Sequence, residues 1–232
     1  MRLDKKLADA LNITRSEAKA AIKQKAVCVN GRVITAADFA CSDSDSITLN
    51  GQAVNTQTFV YIMMNKPQGV ISASDGKGEP TVLDLLPDAM RRKGLFPAGR
   101  LDKDTTGFML ITNDGVFAHN LLSPSKHVDK TYLATLDKPV DDRVIADFEN
   151  GMELNGERLL QASLRPLNTE QTVVEVVLRQ GLYHQVKRMF LKHGITVTAL
   201  RRTAIGQLPL DPALREGDSR YLTAAELQAI TA

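Results

Sequence analysis

Pro97-Ala98-Gly99-Arg100-Leu101-Asp102-Lys103-Asp104-Thr105-Thr106-Gly107-Phe108-Met109-Leu110-Ile111-Thr112-Asn113-Asp114-Gly115 sets an arginine and two carboxylates between a proline-glycine entry and an apolar run closed by turn residues. Four apolar residues in succession, Phe108 to Ile111, bounded by turn formers, suit a buried core strand. An acid at the mouth of such a strand needs a partner. Arg100 lies two residues from Asp102, shares its face in an extended segment and is the expected source of a charge-assisted hydrogen bond. On these residues alone the plainer reading is a surface turn held by an ion pair, and any chemical role has to come from the rest of the chain.

Around this stretch, 232 residues with 43% apolar content allow one large domain or a small one plus a medium one, with a normal packed core. No stretch reaches membrane-span length, and Met1-Arg2-Leu3-Asp4-Lys5-Lys6 lacks the apolar core of a signal peptide, so the expected compartment is the cytoplasm. Cys28 and Cys41 are the only cysteines, and Cys28 in Val27-Cys28-Val29 reads as a small buried hydrophobe. With no close Cys/His grouping, no metal site is expected. The net charge of +2 hides an uneven distribution: residues 1–34 hold eight Lys or Arg against three Asp or Glu, and residues 179–202 hold six basic residues and no acid. Two separated basic segments point to two contact patches for a polyanion, although either patch alone would read as a solvated face.

From Leu3 to Ile22 the apolar positions Leu3, Leu7, Ala10, Leu11, Ala18, Ala21 and Ile22 recur at helical spacing, broken at Asn12-Ile13-Thr14. Thr14 with Glu17 three residues on is an N-terminal capping pattern, which predicts two short helices. Val27, Val29, Val33 and Ile34 around Asn30-Gly31 predict a hairpin. Arg15, Lys19 and Lys23 follow at four-residue intervals and form a basic ridge on the second helix. This module resembles the S4 RNA-binding domain through Arg2-Leu3-Asp4-Lys5-x-Leu7, Thr14-Arg15-Ser16-x-Ala18-x-x-x-Ile22 and Val27-x-Val29-Asn30-Gly31. The family often has glycine where this chain has Lys25. The resemblance implies docking on structured RNA through phosphate contacts from Arg15, Lys19 and Lys23. The polar, unperiodic stretch over residues 50–58 is read as a linker, with residues 1–57 as the first domain and 58–232 as the second.

In the second part, Phe59 to Met64 predicts a strand running into the turn Asn65-Lys66-Pro67-Gln68-Gly69, and Val70 to Ala73 a second strand. Val82 to Leu86 reads as a short helix or turn, and Arg91-Arg92-Lys93 as either a solvated loop or an RNA contact. Val116 to Leu122 is helical and ends at Ser123-Pro124. Lys130 to Leu136 predicts a strand with Lys130, Tyr132, Ala134 and Leu136 on one face. Val140 to Phe148 is helical with Gly151 past its end. Leu159 to Leu167 and Val173 to Leu178 are further strands. Val186, Met189 and Phe190 put one face of a short helix into the core, while Lys187 and Arg188 point elsewhere and hint at an anionic partner. His184 beside these two cations is a poor metal ligand and reads as a structural or hydrogen-bonding histidine. Several strands with few helices between them predict an α+β fold with a mixed, mostly antiparallel sheet and flanking helices.

Four pieces in order resemble the ribosomal small subunit pseudouridine synthase A family of RNA pseudouridine synthases. They are Asn65-Lys66-Pro67-x-Gly69; Gly99-Arg100-Leu101-Asp102-x-x-Thr105-x-Gly107-Phe108-Met109-Leu110-x-Thr112-Asn113-Asp114-Gly115; Lys130-Thr131-Tyr132; and Gly181-x-Tyr183-His184-Gln185-Val186-Lys187-Arg188-Met189. Leu182 stands where the family commonly has arginine. The resemblance implies isomerisation of a uridine in 16S ribosomal RNA, free or in a partly assembled small subunit, by a monomer that uses no cofactor or metal. It matches Asp102 to the essential carboxylate, Tyr132 to the tyrosine that packs on the target base, Lys187 to the basic partner of the aspartate, and Arg100 to the arginine of the same motif. Arg188 and His184 are expected to contact RNA. Breaking the bond between C1′ and N1 needs a carboxylate at the sugar, either attacking C1′ or removing a C2′ proton. Asp104, followed by Thr105, Thr106 and Gly107, is expected to cap the turn. Readings outside this family are a non-catalytic ribosome-assembly factor, against which the intact set of four residues argues, and a zinc deaminase, whose His/Cys signature is missing. A synthase for large-subunit RNA differs only around Tyr183-His184.

Overall fold

The computed structural model describes residues 1–232 except 43, 57, 58, 124, 125, 127, 155 and 232. The chain divides into two compact units, one of Met1–Val60 with Leu86–Leu95 and one of Tyr61–Leu85 with Phe96–Ala232. The boundary expected between residues 57 and 58, and Pro124 as a helix stop, lie outside the described residues.

In the first unit, α1 (Leu3–Leu11) ends on Asn12, which takes the left-handed conformation with φ 56° and donates its N–H to the Ala8 carbonyl. Next, α2 (Arg15–Lys23) begins with a reciprocal cap in which the Thr14 side chain accepts from the Glu17 N–H and the Glu17 carboxylate accepts from the Thr14 N–H at 2.7 Å. Leu3, Leu7, Ala18 and Ile22 are buried together with Val27, Val29, Cys41 and Ile47, which leaves Arg15, Lys19 and Lys23 exposed on the far side of α2. The strands β1 (Val27–Val29), β2 (Arg32–Val33), β3 (Ile47–Leu49) and β4 (Gln52–Val54) form a sheet in the order β2-β1-β3-β4. Asn30 and Gly31, at φ 51° and 77°, make the two-residue turn of the first hairpin. Lys25 sits at φ 62°, a conformation in which glycine would be unstrained, so the departure at this position carries a backbone cost. The stretch read as a linker begins inside this sheet: Asn50 and Gly51 turn a second hairpin and Ile47 pairs with Val54. Asn-Gly is turn chemistry, and with short flanking strands it looks like linker composition.

The second unit is built on β5 (Tyr61–Lys66), β6 (Phe96–Pro97), β7 (Thr106–Thr112), α3 (Gly115–Leu122), β8 (Lys130–Leu136) and α4 (Asp142–Asn150). A small hairpin of β9 (Glu153–Leu154) and β10 (Glu157–Arg158) leads to β11 (Ser163–Pro166), β12 (Val173–Leu178), α5 (Gln185–Leu191), β13 (Val197–Ile205), β14 (Leu208–Pro209), β15 (Ser219–Tyr221) and α6 (Ala224–Thr231). The main sheet runs β11-β12-β8-β13-β7-β5-β15, with β14 on β13 and β6 on β7. Among the described strands of this sheet only the β13–β7 pairing is parallel, so the fold is α+β with a mixed, mostly antiparallel sheet. Lys130, Tyr132, Ala134 and Leu136 are buried in alternation along β8, as the pattern predicts.

Some elements depart from the sequence reading. Val70 to Ala73 forms no strand: Ile71 makes one bridge to Thr81, and Ser72 turns inward to Leu101. Val82 to Leu86 forms turns, one of the two readings its sequence allowed, whereas the strand expected over 159–167 shortens to β11, because Leu159 closes the preceding hairpin through its N–H to the Met152 carbonyl.

Strand β13, which the sequence reading did not find, lies between β8 and β7 and joins the two halves of the sheet. Its contact with β7 is close: a Cβ on Gly107, which has φ 100°, would lie 2.2 Å from the Arg202 carbonyl oxygen. Gly107→Ala therefore combines backbone strain with overpacking and is expected to cost about 2 to 5 kcal/mol. The urea midpoint of the full chain measures this, and an unchanged midpoint would remove the close approach.

Candidate active site

Asp102 lies on the loop that enters β7, and two devices hold that loop from within. The Ser72 hydroxyl donates to the Leu101 carbonyl at 2.9 Å and accepts from the Leu101 N–H at 3.0 Å. The Lys66 ammonium, fully buried at the end of β5, donates to the carbonyls of Thr105 at 2.8 Å, Pro67 at 3.0 Å, Asp102 at 3.1 Å and Lys103 at 3.4 Å. With its carbonyls turned toward Lys66, the loop leaves the Asp102 carboxylate for the opposite side.

There the carboxylate borders a cavity of about 170 Å³ lined by Arg100, Tyr132, Leu178, Tyr183, His184, Lys187 and others. That is several times the roughly 30 Å³ that one water occupies in the liquid, so the space accepts a small ring. Lys187 reaches it from the first turn of α5, whose Gln185, Val186, Met189 and Phe190 are buried and set the helix rotation. Lys187 Nζ lies 3.2 Å from Asp102 Oδ2 and 2.6 Å from Asp104 Oδ1. His184, left-handed at φ 48°, brings Nε2 to 3.3 Å from Asp102 Oδ1. Tyr132 is buried on β8, and Leu178 and Leu200 make apolar wall.

Of the residues singled out from sequence, Asp102, Tyr132, Lys187, Arg100 and His184 line this one cavity. Arg188 instead donates from Nη1 to the Tyr183 carbonyl at 3.2 Å, and Arg15, Lys19 and Lys23 belong to the first unit. Two expectations change. Arg100 is exposed and makes no ion pair with Asp102, whose neighbours are the Lys187 ammonium and the His184 ring: the loop is not a straight extended segment, so two-residue spacing does not put the side chains together. The Asp104 carboxylate, expected to cap the turn, holds the Lys187 ammonium. The Lys187 ammonium holds the Asp104 carboxyl below the usual carboxylate range. Burial works to lower Lys187, but Asp104 and Asp102 outweigh it and the ammonium sits above its ordinary value.

Sequence reasoning missed Lys66, Lys130, Thr105 and Arg202. Lys130 is buried and donates to the carbonyls of Val128 at 2.9 Å and Arg179 at 3.5 Å. Burial pushes both Lys66 and Lys130 down to about 8. Arg202 is buried, donates from Nε to the Phe108 carbonyl at 2.7 Å, and keeps Nη2 without a hydrogen bond. Thr105 borders the cavity with a buried hydroxyl that has no protein partner. The available signal was a basic residue inside an apolar strand pattern, as at Lys66 and Lys130, since a lysine is seldom fully buried without a dedicated set of acceptors.

A nine-stranded mixed sheet brings an acid, a lysine and a tyrosine around one ring-sized cavity, in a chain that also carries a helix-and-hairpin module with a basic ridge. The family pattern described as RNA pseudouridylate synthase matches residues 60–192, and that of the S4 domain matches residues 1–47. The chain belongs to the RNA pseudouridine synthases, a family of isomerases, and carries an S4 domain. It is 42% identical to "Uncharacterized RNA pseudouridine synthase YtzG" of Bacillus subtilis over 99% of this chain and 98% of that one. It is 40% identical to "Ribosomal small subunit pseudouridine synthase A" of Vibrio cholerae over 99% of each. A solved structure described as "Crystal structure of pseudouridylate synthase" superposes with a TM-score of 0.69 at 38% identity over 99% of each chain.

The buried Lys66 has a pH consequence. Its folded value of about 8 lies below the ordinary 10.5, so between these values the unfolded chain binds the extra proton. The Lys66 contribution to stability therefore rises with pH across that window, and its full charging cost is present below it. Lys66→Met removes this titration. From about pH 7.5 to about pH 10 the unfolding free energy of the parent is expected to gain on that of Lys66→Met. Parallel curves in urea titrations would rule out a depressed lysine.

Proposed function

We propose that the chain converts one uridine of 16S ribosomal RNA, free or in a partly assembled small subunit, to pseudouridine, with Asp102 as the essential carboxylate. The small-subunit assignment is supported by relatives named ribosomal small subunit pseudouridine synthase A, at 38% to 40% identity over nearly the whole chain. The observation that carries the site assignment is the Asp102 carboxylate bordering the same cavity as Tyr132, with the Lys187 ammonium at 3.2 Å.

The target base leaves the RNA stack and enters the cavity, where Tyr132 offers an aromatic face. Asp102 acts at the ribose, at C1′ or on the C2′ proton, and the C1′–N1 bond breaks. The electron pair of that bond leaves with the uracil as an anion. Lys187 stabilises this charge in a site that excludes much of the water. The uracil turns and C5 bonds to C1′ as Asp102 either leaves C1′ or returns its proton to C2′, and the proton lost from C5 balances the protonation of N1, so the product is an isomer of the substrate. Arg100 and Arg188 meet phosphates near the cavity, His184 orients Asp102, and Arg15, Lys19 and Lys23 dock RNA on the first unit, adding salt-sensitive affinity with little sequence information. The protein works in the cytoplasm as a monomer.

Release of tritium from 5-tritiated uridine in partly assembled 16S RNA tests this. The parent releases tritium and Asp102→Asn releases none. Asp104→Asn keeps an oxygen acceptor for Lys187 and retains most turnover, and Tyr132→Phe binds RNA in a gel shift but turns over more slowly. Equal loss in Asp102→Asn and Asp104→Asn would sink the assignment of the carboxylate.

A further inference from the structure

Tyr183 is the aromatic residue that neither the packing nor the chemistry accounts for. It lines the cavity and is nonetheless 71% exposed, so it adds little to the core. One of its faces is covered: the ring stacks on His184 with centroids 3.8 Å apart and planes inclined by 16°. The stack is braced from below and behind. His184 Nε2 lies 3.3 Å from Asp102 Oδ1, Arg188 Nη1 donates to the Tyr183 carbonyl at 3.2 Å, and the buried Gln185 side chain accepts from the Leu182 N–H at 3.1 Å.

We propose that the outer face of Tyr183 is a stacking platform for the base next to the target uridine in an unpaired stretch of RNA. The proposal rests on the function set out above and extends it to a subsite outside the cavity. A target base that enters the cavity abandons its neighbour in the strand, which then presents a bare aromatic face. A tyrosine ring at the cavity rim, held parallel to the histidine behind it, offers that face a replacement partner. Stacking of this kind tolerates any base, because each has a π face, and it suits single-stranded RNA. The ring is held before RNA arrives, so little side-chain freedom is lost on binding. Residues 179–202, which contain the platform, hold six basic residues and no acid, which suits the phosphates that flank a stacked base.

The test uses the full chain with Tyr183→Phe, which keeps the ring, and Tyr183→Leu, which keeps bulk without it. Tyr183 is exposed, so neither substitution affects folding, and circular dichroism checks this. Dissociation constants for partly assembled 16S RNA are measured on the Asp102→Asn background, and KM and kcat from tritium release on the active chain. Tyr183→Leu is expected to raise Kd and KM by about five- to a hundredfold while kcat stays within about twofold, and Tyr183→Phe to match the parent. Three results overturn the platform: Kd unchanged in Tyr183→Leu, kcat lowered with Kd unchanged, which would make Tyr183 a support for His184 and Asp102, or Tyr183→Phe as impaired as Tyr183→Leu, which would assign the contact to the phenol. A parent that releases no tritium but loses RNA affinity in Tyr183→Leu keeps the platform and removes the synthase reading, whereas no RNA binding by the parent removes both.

Discussion

The Lys66 ammonium is the constraint on which the loop that carries Asp102 depends. A loop that presents a carboxylate to a cavity turns its own carbonyls toward the core, where unpaired acceptors are costly. Three of those oxygens, from Asp102, Lys103 and Thr105, converge with that of Pro67 on one nitrogen with three protons. The lysine sits at the last position of β5, paired across to Gly107 at the start of β7, so the clamp joins the two strands that bracket the loop. Lys66 has no carboxylate partner among the described residues. Its charge is spread over carbonyl dipoles, which leaves Asp102 itself available to Lys187 and to substrate.

The same economy runs through the interior behind the site. Lys130 and Arg202 are also buried, also donate to carbonyls, and flank Tyr132 in sequence and across the β8–β13 pairing respectively. Each depresses or is depressed by its neighbours, since Arg202 opposes the charging of both Lys66 and Lys130. Clustered like charges in a low-dielectric core are unfavourable for folding. In the proposed reaction they are favourable for chemistry, because a departing uracil anion gains from fixed positive charge that needs no rearrangement when the bond breaks. The open Nη2 of Arg202 is consistent with a core arranged for charge and not only for packing.

How much of this was legible in the sequence divides along physical lines. Period-2 burial on β8, the capped start of α2 and the Asn30-Gly31 hairpin are local, and each was readable from a handful of neighbouring residues. The strand β13 was not, because Val197-Thr198-Ala199-Leu200-Arg201-Arg202 carries basic residues where a buried strand ordinarily carries apolar ones. Its place between β8 and β7 comes from pairing on both edges, which no window of sequence reports. The Asp102–Lys187 contact spans 85 positions of chain, and only the family resemblance, not spacing, anticipated it. Spacing did fail for Arg100, where an extended backbone was assumed and a folded loop was found.

Asp102 and Asp104 show why proximity to a cation does not by itself identify the reacting acid. Asp104 holds Lys187 the more tightly, at 2.6 Å against 3.2 Å, yet its side chain is 68% exposed and Asp102's is 25%. Water screens the exposed pair and weakens it, whereas the less accessible carboxylate faces apolar wall and the aromatic ring of Tyr132. In the proposed reaction Asp104 thus works on Lys187 and not on substrate. By sharing the ammonium it sets where the lysine sits and keeps it charged, and it does so from a position solvent can reach. A single lysine between two acids then has one tether and one task. In the proposed reaction the tether outside the cavity lets the contact with Asp102 lengthen as the carboxylate engages the ribose, without releasing the positive charge from the site.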